Sequence, residues 1–264
     1  MNIEISIDTT TTTTIRTDNE AIGSDDKMLL DIHSHILPQL DDGAKSLNES
    51  LALMSMQKEQ GADAIIATPH FHAEYCDLYE YISCAQEKFN QLKKSSGDGM
   101  PELFLGYEVK YFKGISQNES TNLLTLGNTE YILVEMPYNR ISVGMLDDIG
   151  SISLNLGLTP ILAHVDRYIS FPGFQDVIKL IEDGFVKAQI NADSILYGPN
   201  KHKSLKLISD GYISYLGSDA HSVGERPPRI DEFIQKLNKK SGPSYFESIE
   251  NNSFDIYKKL CKGV

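Results

Sequence analysis

Residues 156–192 read LGLTPILAHVDRYISFPGFQDVIKLIEDGFVKAQINA. LGLTPILAHVDR predicts a short buried strand, FQDVIKLIEDG a helix and GFVKAQINA a second strand. Working outward, the same rhythm recurs. The apolar run MLLDIH at 28–33 precedes a helix opened by Ser46-Leu47-Asn48-Glu49, a capping-box pattern, and closed at Gly61. ADAIIATPH at 62–70 is a strand-like run broken by Pro69, followed by a helix from about Asp77 to Lys94. PELFLGYEV at 101–109 and TEYILVEMP at 129–137 are strands. HKSLKLISDG at 202–211 is a helix, GYISYLGSDAH at 211–221 a strand, and the tail from about Arg229 is helical with a break at Gly242-Pro243. Seven such alternations of short buried strands with helices predict a parallel α/β architecture. With no long linker or change of composition after residue 27, residues 28–264 read as one domain, either an α/β barrel or an open doubly wound sheet.

The chain has 264 residues, 41% of them hydrophobic and 23% charged, values that suit a globular protein with a sizeable core. A formal net charge of −13 leaves no basic field for a nucleic-acid backbone, although a local metal or a few arginines could still hold a small anion. Cys76, Cys84 and Cys261 are too few and too scattered for a disulfide framework or a structural zinc site, which points to a reducing, cytoplasmic setting. No run is long and apolar enough to insert in a membrane. The stretch 1–27, with six consecutive threonines and no apolar segment, is not a secretory signal and reads as a low-complexity, mobile extension.

The chemistry-bearing residues fall at one address. The first strand delivers His33 and His35, which an extended backbone turns to one side. The second ends in Thr68-Pro69-His70, the third in Gly106-Tyr107-Glu108 and the fourth in Val134-Glu135. The fifth ends in Ala163-His164, the sixth in Asn191, and the seventh in Ser218-Asp219-Ala220-His221. In an α/β barrel the C-terminal strand ends form the active-site face. Taken singly, each residue has an ordinary explanation: HxH occurs on exposed loops, His164 could be a satisfied core histidine, and GSD makes surface turns. Taken together, eight ionisable groups at one mouth would repel or desolvate one another unless cations neutralised them. Imidazole mixed with carboxylate and no thiolate suits Mn, Fe or Zn of a catalytic kind. Eight ligands exceed the needs of one ion, so two or three are expected, with a carboxylate such as Glu108 bridging. Closely spaced ions can generate a bound hydroxide and clamp the oxygens of an in-line displacement at phosphorus. Arg167 and Arg226, just beyond the fifth and seventh strands, could grip phosphate oxygens, although each alone reads as a surface ion pair.

HSHILPQLDDG, TPHF, GYEV, LVEMPY, ILAHVDRY and SDAHSVGERPP, in this order from about Leu30 to Pro228, resemble the bacterial capsule- and exopolysaccharide-associated protein-tyrosine phosphatases of the polymerase-and-histidinol-phosphatase superfamily. The resemblance implies a distorted (β/α)7 barrel with a trinuclear, usually manganese-dependent site. The implied reaction is hydrolysis of phosphotyrosine, typically on the tyrosine-rich tail of a cytoplasmic autokinase that governs polysaccharide export. Position by position, His33, His35, His70, Glu108, Glu135, His164, Asp219 and His221 match the metal ligands. Arg167 and Arg226 match the phosphate-contacting arginines, and Asp42 matches an active-site acid of the DDG segment. Asp166 departs from the pattern, standing where the family has a glutamate. Within the superfamily the competing expectation is a small-molecule phosphatase, such as one acting on histidinol phosphate. An amidohydrolase-like enzyme cutting C–N bonds often carries a lysine after the fourth strand, where this chain has LVEMPY. A degenerate barrel serving only to bind a partner would have lost ligand positions, and none of the eight is replaced.

Overall fold

Strand β1, Leu30–Ser34, is buried along its whole length and begins the described part of the chain, residues 28–138 and 141–262 of a computed structural model. The extension expected over 1–27 lies outside the described residues. Helix α1, Leu47–Glu59, starts where the capping pattern puts it: Ser46 Oγ accepts from Glu49 N at 3.2 Å, while Glu49 reaches back to Lys45 N at 2.9 Å. The next run is split in two by Thr68-Pro69, giving β2, Ala64–Ala67, and β3, His70–Phe71. Helix α2, Leu78–Ser95, is capped by Asp77, whose carboxylate accepts from the amides of Tyr79 and Glu80 at 3.0 Å.

The run expected as one strand over 101–109 is likewise split, into β4, Glu102–Leu105, and β5, Glu108–Lys110. The break falls at Gly106, where an added Cβ would meet Leu126 Cδ2 at 2.7 Å. Two short 3-10 turns, Ile115–Gln117 and Glu119–Leu124, lead to β6, Tyr131–Glu135. Helices α3, Val143–Gly150, and α4, Ile152–Leu156, follow. The sequence reading has no helix there, because glycine and serine weaken the propensity of SVGMLDDIGSISLN. Then come β7, Thr159–Leu162, α5, Phe174–Glu182, β8, Lys187–Asn191, α6, Lys201–Ser209, and β9, Tyr215–Gly217. Helices α7, Ile230–Ser241, and α8, Pro243–Lys262, meet at the expected break.

Every strand pairing is parallel, in the orders β1-β2-β4 and β3-β5-β6-β7-β8-β9. Amide bonds cross both strand breaks, from Gly106 N to Ala67 O (2.8 Å) and from Glu108 N to Pro69 O (3.1 Å), so the two pieces form one curled sheet. His35 N donates to Ala220 O at 2.9 Å and Asp219 N to His33 O at 2.8 Å, which brings β9 back to β1. The result is a distorted (β/α)7 barrel and not the open sheet that the alternation alone also allowed. Its floor is apolar. Leu30, Ile32, Ile66, Leu133 and Ile161 pack together, and Ile256 and Leu260 of α8 close the end opposite the histidines. No helix of the described residues is long and apolar enough to cross a membrane.

Candidate metal centre

The first pair of histidines is set by a fault in β1. Its register with β2 shifts between Asp31 and Ser34, so these two residues, three apart, both face α1. There Gln57 Nε2 donates to Asp31 Oδ2 at 2.5 Å and Ser34 Oγ at 3.1 Å. The extra residue of the bulge turns His33 inward along with Ile32, and His35 follows on the inner side. Room for His33 comes from Gly217, where a Cβ would lie 2.5 Å from His33 Cβ. Gly43 of the DDG segment has the same function beside His35, since a Cβ there would stand 2.1 Å from His35 O.

Glu108, fully buried, is the hub. Its Oε2 lies 3.3 Å from His33 Nε2, 3.2 Å from His35 Nε2 and 2.8 Å from His70 Nδ1, and its Oε1 lies 2.8 Å from His164 Nε2. Glu135 Oε1 is 3.5 Å from His164 Nε2 at the more open edge. Asp219 Oδ1 is 3.6 Å from His33 Nε2 and 3.4 Å from His35 Nε2. Asp42 Oδ1 lies between His70 Nε2, at 3.4 Å, and His221 Nε2, at 3.3 Å, and is 66% exposed. All eight residues expected to be metal ligands therefore converge, and Asp42 joins them. His164 and Asp219 adopt the left-handed region, with φ of 34° and 52°. That costs a non-glycine residue of order 1 kcal/mol or more. The hydrogen bond from His164 N to Gln189 Oε1, 2.6 Å, and that of Asp219 N to β1 hold the two backbones there.

Three overlapping sets have one donor atom from each residue within 4.8 Å of the others: His35, Asp42, His70 and His221; His33, His35 and Glu108; His70, Glu108 and Glu135. The residues fit divalent cations on several grounds. His70 Nδ1, Glu108 Oε2 and His221 Nε2 are buried without an aligned hydrogen bond, although Nδ1 and Oε2 stand 2.8 Å apart. His33 Nε2 and His35 Nε2 face each other at 3.1 Å. Burial holds His164 down to about 4 and His221 to about 3, which leaves neutral imidazoles, the form that ligates. Burial also opposes charge on His33, but Glu108 and Asp219 outweigh it and raise its pKa; for His35 the Asp41 carboxylate does the same. The carboxylates thus call for positive charge in their midst, which metal ions would supply.

Arg167 sits on the 3-10 turn Val165–Tyr168 after β7, and Arg226 folds back so that its carbonyl accepts from His221 N at 2.9 Å. Both guanidinium groups donate to Asp219 Oδ2, Arg226 at 2.7 Å, and Asn191 Nδ2 joins them at 2.7 Å. Asp166 is buried and faces Asn191 N at 3.3 Å, and burial pushes its carboxyl up to about 7.

The family model for capsular polysaccharide synthesis, CpsB/CapC, matches residues 29–256. The chain belongs to the CpsB/CapC family. The match takes in α7 and α8 as far as Ile256 on the barrel floor. The tyrosine-protein phosphatase CpsB of Streptococcus pneumoniae is 28% identical over 230 residues, 81% of this chain and 91% of that protein. The tyrosine-protein phosphatase YwqE of Bacillus subtilis strain 168 is 29% identical over 221 residues, 81% of this chain and 85% of that protein. Crystal structures of YwqE and CpsB, described as metal-dependent tyrosine phosphatases, match with a TM-score of 0.76 at 28% identity, covering 85% of this chain and 92% of that one. A β-aspartyl dipeptidase from Fervidobacterium islandicum AW-1 shares the fold at 12% identity, with a TM-score of 0.51 over 85% of this chain and 73% of that one.

In this CpsB/CapC member several positioning residues were not among the expected site residues. Asp41 Oδ2 lies 2.8 Å from His35 Nδ1 and accepts from His70 N at 3.0 Å, tying two strands' histidines together. Gln189 Oε1 lies 3.2 Å from His33 Nδ1 as well as binding His164 N. The available signal was inner-face alternation along β8, which puts Gln189 and Asn191 on the same side as each other and toward the site.

Proposed function

We propose that residues 28–264 act as one domain that hydrolyses phosphotyrosine on a protein in a metal-dependent reaction. The observation that carries this is the convergence of nine nitrogen- and oxygen-bearing side chains, Glu108 at their centre, with buried ring nitrogens and a carboxylate oxygen that lack an aligned hydrogen bond, in a chain of the CpsB/CapC family. His33, His35, His70, Glu108, Glu135, His164, Asp219 and His221 would hold two or three ions, Mn²⁺ first and Fe or Zn as alternatives, with Asp42 close enough to contribute. Ions bound there supply charge neutralisation, polarisation of the phosphoryl group and a lowered pKa for water.

The protein's own part is to position the substrate. Arg167 and Arg226 stand beside Asp219 with guanidinium groups that can turn to phosphate oxygens and meet the charge that develops there. Glu108 holds His33, His35, His70 and His164 in mutual contact, so the phosphate meets a fixed frame. The physiological substrate in this reading is the tyrosine-rich tail of a bacterial autokinase that controls capsule or exopolysaccharide export, met in the cytoplasm.

The test is phosphate release from p-nitrophenyl phosphate, a phosphotyrosine peptide and histidinol phosphate, each with and without Mn²⁺. Metal-dependent turnover of the first two above the third is expected. Activity that survives both exhaustive chelation and His33→Ala would overturn the reading, and preference for histidinol phosphate would move the substrate to a small molecule.

A further inference from the structure

Two adjoining cavities lead outward from the metal centre. The inner, about 480 Å³, is bounded by Asp42, His70 and Glu135 on one side and by His72, Tyr75 and Lys110 on the other. The outer, about 300 Å³, shares those last three residues and extends to Phe112 and Pro137. Both open on the half of the mouth built from β3, β5 and β6. Arg167 and Arg226 come from the other half, after β7 and β9, where they hold Asp219.

Lys110 is the residue the metal centre does not explain. It lies two positions beyond Glu108 on β5, so the strand turns it to the same face, and it pairs in register with Glu135 of β6. It is half-buried, yet among the described residues its ammonium is in no hydrogen bond or ion pair. Its charge is felt by Glu135 across the strand pair without an ion pair forming, so the ammonium, lining both cavities, is free to meet an anion from outside. Tyr75, 81% exposed, stands at the junction of the two cavities with its ring 6.0 Å from that of His72. An aromatic ring left open to solvent at a site mouth is suited to cover another ring. A small phosphate ester needs the inner cavity alone; the outer one, about 300 Å³, leaves room for a residue beside a phosphotyrosine.

We propose that the outer cavity binds the polypeptide flanking the phosphotyrosine, with Lys110 selecting an acidic side chain and Tyr75 covering the tyrosyl ring. The inference rests on the phosphotyrosine reading above and names the kind of substrate it prefers.

The experiment uses the full chain loaded with Mn²⁺ and three phosphotyrosine peptides that differ only in having Glu, Gln or Lys beside the phosphotyrosine. For the wild type, kcat/KM for the Glu peptide should exceed that for the Gln peptide by about three- to five-fold, the effect of one ion pair at a solvated rim, and the gain should lie in KM. Lys110→Gln should bring the ratio to about one, and Lys110→Glu should reverse the order in favour of the Lys peptide. Turnover of all peptides by the wild type without preference overturns the proposal alone, as does a preference that Lys110→Gln leaves intact. Turnover of no peptide and no p-nitrophenyl phosphate overturns the phosphatase reading and this proposal with it.

Discussion

Asp41 places its Oδ2 2.8 Å from His35 Nδ1, so the imidazole presents Nε2 to Glu108 and Asp219 and no other orientation keeps both contacts. A carboxylate behind a ligating histidine fixes the ring and raises its basicity, and losing it commonly lowers metal affinity about 10–100-fold. The same Asp41 caps His70 N, so its removal loosens two proposed ligands at once. Asp41→Asn should therefore need a correspondingly higher Mn²⁺ concentration for half-maximal activity, while activity at saturating metal recovers most of its wild-type value. A Mn²⁺ titration of phosphate release reads this directly, and an unshifted midpoint would show that Asp41 is idle.

Gly217 touches no substrate, yet it decides whether His33 can occupy its place. The Cβ of an alanine there would stand 2.5 Å from His33 Cβ and 2.8 Å from Gln189 Nε2. Neither neighbour is a flexible tip, because His33 is fixed by the bulge and Gln189 by two further bonds, to Ile190 O and Asn191 Oδ1. Overpacking of this kind costs about 1–3 kcal/mol. Gly217→Ala should lower the thermal midpoint and reduce bound metal even though every ligand remains. Retention of full metal content in a stable variant would place the strain elsewhere.

The converging residues, proposed as metal ligands, were legible because strand ends can be read locally: a short apolar run, then His, Glu or Asp, repeated around a barrel. What joins the ligands was not. Period-two alternation puts Asp31 on the same side as His33, but the bulge in β1 sends Asp31 to Gln57 on the outer face. Asp41, Gln189 and Asn191 act through partners 28 to 156 residues away in sequence, so the DDG segment and the alternation along β8 mark their faces but not what they hold. Helices α3 and α4 were hidden for a different reason: their glycines and serines give little local propensity, so packing against the sheet decides them. The arginines were legible as residues just beyond two strand ends, but the shared Asp219 oxygen emerges only in three dimensions.

That shared oxygen makes a prediction about additivity. Arg167 and Arg226 both donate to Asp219 Oδ2, so removing either one leaves the other with the whole of the carboxylate. Each single change to alanine should reduce kcat by about 10²–10³-fold if the guanidinium group meets transition-state charge. The double variant should lose less than the product of the two, because residues in one network are not independent. Single-turnover measurements on the three variants would expose the coupling, and strictly multiplicative losses would argue for two separate functions.

Acid sensitivity should reside partly in Asp148, which is outside the cluster of proposed metal ligands. Its carboxylate accepts from Gly114 N at 2.7 Å, Ser116 Oγ at 2.7 Å, Ser116 N at 3.3 Å and Tyr111 Oη at 3.1 Å, and so anchors to α3 the irregular turns that replace a helix after β5. Desolvation works to raise its pKa, but these bonds outweigh it and hold the carboxyl below its ordinary value of 3.8. A depressed folded-state pKa means that the stabilisation is fully present above that ordinary value and fades as pH falls through the lower, folded one. Asp148→Asn removes the charge from the acceptor and should cost about 1–2 kcal/mol at neutral pH. Urea unfolding of both proteins should show that difference constant from pH 7 down to about 5, then shrinking below about 4, where the wild type loses its own advantage. A gap that stayed the same at acid pH would mean that the four bonds stabilise the fold by geometry alone, without help from the carboxylate's charge.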